Sequence, residues 1–194
     1  MKYLIFFSFL ILIGCEQAKR FKADQIYVLG KGNPAKNELI AQTFNKTHKQ
    51  LTHVAIGFVE DGELKIFEIL PPDVSHNAVT QTSWEDFYTD EYSFLGVWEL
   101  NSDAQGIADL KAYLENSVRT KKTYDFMFDL NSEDELYCSE LVVKAINKLS
   151  GFSIDPIKRP LLEKHKMLLR KDTLEYYPVD FFIDDDRFKK ILEL

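Results

Sequence analysis

Apolar positions along the chain change period several times, and the changes divide it into elements. Residues 3–13 are uncharged and almost wholly apolar, behind Met1-Lys2 and ahead of Gly14-Cys15, whereas residues 16–22 are polar and basic with no apolar period. Ordered structure is therefore expected from near Asp24. Residues 25–29 (QIYVL) predict a short strand, closed by the turn-rich Gly30-Lys31-Gly32-Asn33-Pro34. Leu39, Ile40 and Phe44 then recur at helical spacing, and proline suits a first helical turn, so a helix is expected over 35–44.

The middle of the chain alternates with period two. Residues 52–59 (THVAIGFV) and 63–70 (ELKIFEIL) flank Glu60-Asp61-Gly62, and Asp-Gly between two such runs predicts a hairpin. In the second run Leu64, Ile66 and Glu68 share one face, while Lys65, Phe67 and Ile69 share the other. A short helix over 84–88, capped by Thr82 or Ser83, and a strand over 93–100 follow. Ile107, Leu110 and Leu114 predict a helix capped by Asn101 or Ser102 and running to about Ser117. After a loop over 118–135, Leu141, Val142, Ala145, Ile146 and Leu149 predict a second helix over 137–149, with Gly151 just past its end. Residues 152–180, with Pro156, Pro160 and Pro178, read as irregular, and a helix is expected from Asp185 onward. The fold class is α+β, a small antiparallel sheet or barrel packed against helices.

The apolar run at 3–13 is too short for a bilayer core, which needs about 20 residues of helix. Behind a basic start it has the anatomy of a secretory signal. Leu12-Ile13-Gly14-Cys15 resembles the lipobox of bacterial lipoproteins, which implies a lipid on Cys15 and Cys15 as the mature N-terminus. The expected organisation is a signal peptide at 1–14, a lipid-anchored tether at 15–22 and one domain over 23–194, in the cell envelope on its periplasmic or outer face. Removing 14 of 194 residues leaves 180, enough for a single domain with a substantial core. A net charge of -7 without a basic face argues against nucleic acid as a partner.

The chain has two cysteines. If Cys15 carries lipid through sulfur, Cys138 is a lone thiol in an exported protein. Such a thiol is either a buried apolar residue or a reactive one. Its place at the start of the second helix puts unsatisfied amides and the positive end of the helix dipole beside it, which favours a thiolate and can stabilise an oxyanion. Of the four histidines, His48, His76 and His165 lie in polar or proline-flanked segments and are expected to be solvated. His53 begins an apolar strand that can hold an imidazole rigidly. Glu68 returns through the hairpin to about the level of His53, where a carboxylate fixes the imidazole tautomer. The plainer alternatives are a structural histidine and a glutamate facing water. No Cys/His spacing of the zinc type is present, and no metal or organic cofactor is expected.

Thr52-His53-Val54-Ala55-Ile56-Gly57, then Glu68, Tyr124-Asp125-Phe126 and Tyr137-Cys138-Ser139-Glu140-Leu141-Val142, together resemble the YiiX/YaeF-like permuted papain-like family of the NlpC-type cysteine hydrolase superfamily. The resemblance runs from Asp24-Gln25-Ile26-Tyr27 to Tyr177-Pro178-Val179-Asp180, with Ala23-Asp24 where the family usually has Gly-Asp. It implies a permuted papain-like domain with Cys138 as nucleophile, His53 as general base and then acid, and Glu68 orienting His53. Tyr124 would line the site and assist the oxyanion, or else pack under the helix start. Glu140 is expected to meet the dipole or a neighbouring basic group. The implied activity is a cysteine hydrolase of the amidase or peptidase type, working through an acyl-enzyme. Its partners would be cell-wall peptide amides or acyl-lipid amides and esters of the envelope, with the membrane held through the N-terminal lipid. A binding lipoprotein that keeps the fold without turnover is the alternative from another class.

Overall fold

The structure is a computed structural model that describes residues 21–32, 43–71, 78–88 and 92–194. Its strands are β1 (Gln25–Gly32), β2 (His53–Glu60), β3 (Glu63–Glu68), β4 (Thr80–Thr82), β5 (Phe94–Asn101), β6 (Thr123–Tyr124), β7 (Glu135–Leu136), β8 (Ile157–Pro160), β9 (Thr173–Tyr176) and β10 (Phe188–Glu193). Its helices are α1 (Trp84–Phe87), α2 (Ala104–Arg119), α3 (Cys138–Ile146) and α4 (Glu163–Leu169). Six strands form one antiparallel sheet in the order β10-β5-β1-β2-β3-β4. The sheet is open, with β10 and β4 as its edges, so the barrel alternative does not hold. Asp61 and Gly62 both have positive φ, 52° and 80°, which matches the right-handed strand twist and closes β2 onto β3 in two residues.

Both faces of the sheet are covered. On one, Ile26, Val28, Val54, Ile56, Phe67, Trp98 and Leu100 pack against Leu110 and Leu114 of α2 and Leu141, Val142, Ala145 and Ile146 of α3. On the other, Tyr27, Leu29, Ala55, Ile66 and Val97 pack against Phe21 and Phe87. Burying one such side chain contributes about 1.5–3 kcal/mol, so this double cover is the main stabilising term. It also explains why β1 and the first six residues of β2 are buried on both faces.

Several elements differ from the sequence expectation. β1 runs on through Gly30 to Gly32, because β5 pairs along its whole length as far as Gly32↔Phe94. The α2 cap is Asp103, whose Oδ1 accepts from the Gly106 amide at 2.7 Å, not Asn101 or Ser102. Residues 152–180 are not irregular: β8 and β9 pair antiparallel, and α4 lies between them. The C-terminal segment is a strand, not a helix. Phe188, Ile191 and Leu192 suit either period, and the open edge of β5 decides, taking β10 as its partner across a bulge between Lys190 and Leu192. Of the helix expected over 35–44, only Thr43 and Phe44 are described, and both are helical. The signal segment, Cys15 and His76 lie outside the described residues.

Candidate active site

Helix α3 crosses β2 and begins at Cys138, with Tyr137 extended before it. The Glu140 carboxylate accepts from the Tyr137 amide at 3.4 Å, which satisfies one donor at the helix entry. The residues on either side of Cys138 are tied to one strand end: Ser139 Oγ donates to the Tyr177 carbonyl at 2.7 Å, and the Tyr177 amide donates to Tyr137 Oη at 2.8 Å. Three residues on, the Asp180 carboxylate accepts from the amides of Lys46, Thr47 and His48 at 2.9, 2.7 and 3.0 Å. Asn45 Nδ2 ties the same segment to the carbonyls of His48 and Leu51. Residues 177–180 therefore hold both the helix that starts at Cys138 and the segment that leads into β2. That is a structural reason for the Tyr177-Pro178-Val179-Asp180 stretch to accompany the other blocks.

His53 opens β2 and is buried, with Nε2 2.8 Å from Glu68 Oε2. The register Ile56↔Phe67, carried one residue further, sets Glu68 beside Ala55 on the face that His53 shares. Nε2 being turned to Glu68, Nδ1 is the ring nitrogen left over, and Cys138 is close enough to the imidazole for each group to shift the pKa of the other. Burial pushes the Cys138 thiol up, but His53 and the amides of Val54 and Ser139 outweigh it, and the net shift is down. Burial likewise pushes His53 down, and Cys138 and Glu68 reverse this to a raised pKa. For Glu68 burial pushes up, and His53 with Lys31 brings the carboxyl below its ordinary value. All three directions favour the same charge state: thiolate, imidazolium, carboxylate.

Tyr124 on β6 is half-buried beside Cys138, and burial together with the nearby thiolate charge raises its hydroxyl far above the ordinary value. It is therefore a neutral donor at neutral pH. Glu140 is fully buried, with Lys144 Nζ 2.8 Å from its Oε1. The contact is close but is not an aligned hydrogen bond, since Lys144 donates to the carbonyls of Leu130 and Ser132 and Oε1 has no aligned donor. Burial pushes Glu140 up to about 7 despite Lys144. His48 lies part-exposed in the segment clamped by Asp180. His165, expected to be solvated, is only 7 % exposed and packs against Phe44, because it lies on the inner side of α4.

Lys31 is the residue that sequence reasoning missed. It is only 3 % exposed, with Nζ 3.6 Å from Glu68 Oε2, 3.1 Å from Tyr92 Oη and 3.6 Å from the centroid of the Phe87 ring. Its Cα partner across the ladder is His53. The signal was a lone charge at a position whose side chain alternates with Tyr27 and Leu29, hidden because two flanking glycines suggested a turn.

A thiolate with a neighbouring imidazolium at a helix start can attack a carbonyl carbon and protonate a leaving group. Metal binding fits these donors poorly. His53 Nε2 and Glu68 are spent on each other, and among the described residues no group of three or more His, Cys, Asp or Glu side chains is arranged to hold an ion. No step is therefore assigned to a metal.

No family model matches the chain, and no curated protein matches it significantly. Among solved structures, the crystal structure of metalloprotein YiiX from Escherichia coli O157:H7, DUF1105, aligns at a TM-score of 0.63 over 90% of this chain and 98% of that one. At 16% identity this likeness concerns the fold alone, and the fold of this chain is YiiX-like.

Proposed function

We propose that the chain is a cysteine hydrolase of the cell envelope that cleaves an acyl bond, in the first instance an amide, in a permuted papain-like domain. The observation that supports this reading is the buried His53–Glu68 hydrogen bond with Cys138 beside the imidazole, from a helix start and two strands, their pKa shifts pointing to one charge state. Cys138 Sγ attacks the substrate carbonyl carbon, and the oxyanion forms near the helix-start amides and the Tyr124 hydroxyl. The His53 imidazolium gives its Nδ1 proton to the leaving amine as the C–N bond breaks, leaving a thioester on Cys138. A water then loses a proton to Nδ1 and attacks the thioester carbon, releasing the acid and regenerating the thiolate and imidazolium. Glu68 holds the ring through Nε2 in both halves.

Cell-wall peptide amides and acyl-lipid amides or esters both suit this chemistry. Incubation with peptidoglycan fragments and with N-acyl and ester lipids, followed by intact mass, should give an acyl adduct on the wild type and none on Cys138→Ala. Equal product from Cys138→Ala would remove the reading. The lipid anchor on Cys15 is part of the same proposal, supported by the lipobox-like Leu12-Ile13-Gly14-Cys15 behind an apolar run. Cys15→Ser should move the protein from the membrane to the soluble fraction, and unchanged partitioning would remove the anchor.

A further inference from the structure

The β8–α4–β9 unit reverses the charge balance of the molecule and bares apolar side chains in the same place. Leu162, Met167 and Leu168 are 59, 80 and 62 % exposed. They are three of the eight large apolar side chains exposed among the described residues and fall within seven positions, so they form a local feature and not scattered background. Residues 157–176 also hold six of the chain's 24 lysines and arginines but three of its 31 aspartates and glutamates. All three acids are set against lysines: Lys166 Nζ is 2.8 Å from Glu163 and 3.7 Å from Asp172, and Glu175 is the ladder partner of Lys158. Lys171 turns to the Met127 and Phe128 carbonyls, near Asp129. Arg159, Lys164 and Arg170 have no ion pair among the described residues, and the last two are exposed.

The exposure is built into the fold. β8 and β9 pair from Ile157↔Tyr176 to Pro160↔Thr173, and the Leu161 amide donates to the Asp172 carbonyl at 2.9 Å. His165 and Leu169, one turn apart, bury one side of α4, and Arg170 closes the helix at φ = 54°. Lys164 and Leu168, also one turn apart, share another side.

We propose that the β8–α4–β9 unit docks on an anionic phospholipid bilayer, with Leu162, Met167 and Leu168 entering the acyl boundary and Lys164 and Arg170 meeting the headgroup phosphates. Cations and apolar side chains share one short helix and its ends, which is the make-up of a segment that lies in a bilayer interface. Flexible Met and the long stems of Lys and Arg adapt to a fluid surface, the stems resting on acyl chains while the charged heads stay among the phosphates. An anionic leaflet attracts the unpaired cations and repels the acidic remainder of the chain, so charge orients the molecule as well as holding it. β9 leads into Tyr177, which bonds to Tyr137 and Ser139 on either side of Cys138, so a docked α4 also fixes how the start of α3 faces the bilayer. The docking surface is independent of the hydrolase reading.

Cosedimentation of the full-length Cys15→Ser chain with vesicles tests this without a lipid on residue 15. Vesicles of equal parts phosphatidylglycerol and phosphatidylcholine should be bound roughly 10-fold more tightly than phosphatidylcholine alone at low salt, and the preference should fade at high salt. Met167→Ser/Leu168→Ser should weaken binding to the mixed vesicles roughly 10-fold. Lys164→Gln/Arg170→Gln should remove most of the preference for phosphatidylglycerol. Both variants alter exposed side chains, and an unchanged rate of Cys138 alkylation by iodoacetamide checks that each is folded. Binding through residues 3–13 is separated by a reporter on α4 itself: Met167→Trp emission should shift to the blue on the mixed vesicles and be quenched by brominated acyl chains. Equal affinity for the two vesicles, no quenching, or a variant pair that leaves its quantity unchanged would overturn the proposal. So would a dimer in sedimentation that Met167→Ser/Leu168→Ser makes monomeric while vesicle binding stays as it was.

Discussion

Lys31 brings a buried cation to the carboxylate that faces His53, and its effect is exerted through Glu68. With Nζ 3.6 Å from the carboxylate and no exposure to speak of, it helps keep Glu68 ionised against burial. A carboxyl with a depressed folded pKa contributes stability above its unfolded value of about 4.3, and that contribution is lost as pH falls through the folded value. Removing Lys31 raises the folded value and brings the loss to higher pH. Lys31→Met is expected to lower unfolding stability by about 3 kcal/mol at pH 7, since it leaves a buried charge with one partner fewer. Lys31→Met/Glu68→Gln should then be less destabilised than the sum of the single variants. Additive losses in denaturant titrations would mean that the two side chains do not act together. The three residues singled out from sequence were legible because each broke a local pattern: a thiol at a helix start, an imidazole at a strand start and a carboxylate inside an apolar strand. Lys31 broke one too, but only once the strand is known to continue past Gly30.

Helix α3 carries a second buried carboxylate, on the turn that presents Cys138. Glu140 is fully buried and its pKa is raised to about 7, so the native state holds a proton that the unfolded chain releases near 4.3. The native state binds more protons across that window, and stability from this group falls as pH rises from about 4.5 to 7. At about 1.4 kcal/mol per unit the contribution is on the order of 3 kcal/mol. Glu140→Gln should remove it, so the stability of the variant relative to wild type should climb over that pH range; a pH-independent difference would contradict the assignment. Elements with a clear period were legible to within a few residues, as α2 and α3 show. Those whose identity depends on a partner were not. Phe188, Ile191 and Leu192 became a strand because β5 had an open edge, and β8 and β9 are four-residue segments with Pro160 at the end of one, recognisable only by pairing with each other.

The whole molecule is arranged so that parts distant in sequence meet at one end of the sheet. Cys138 arrives from the helical face, whereas His53, Glu68 and Lys31 lie on the opposite face, and the first turn of α3 reaches the strand end where the two faces meet. Residues 177–180 fix that meeting by bonding to Tyr137 and Ser139 on one side and to the segment 46–48 on the other. Sequence order indicated which residues to compare, but not this clamp, because hydrogen bonds to backbone amides leave no pattern in residue types. The YiiX-like fold at 16% identity fits the same lesson: architecture outlasts sequence, while chemistry depends on a few side chains. The proposed nucleophile is tested most directly by the rate of Cys138 alkylation by iodoacetamide across pH, in wild type and His53→Ala. The wild-type midpoint should lie well below the ordinary thiol value of about 8.5 and move up toward it in His53→Ala. A midpoint near 8.5 in both proteins would contradict an activated Cys138.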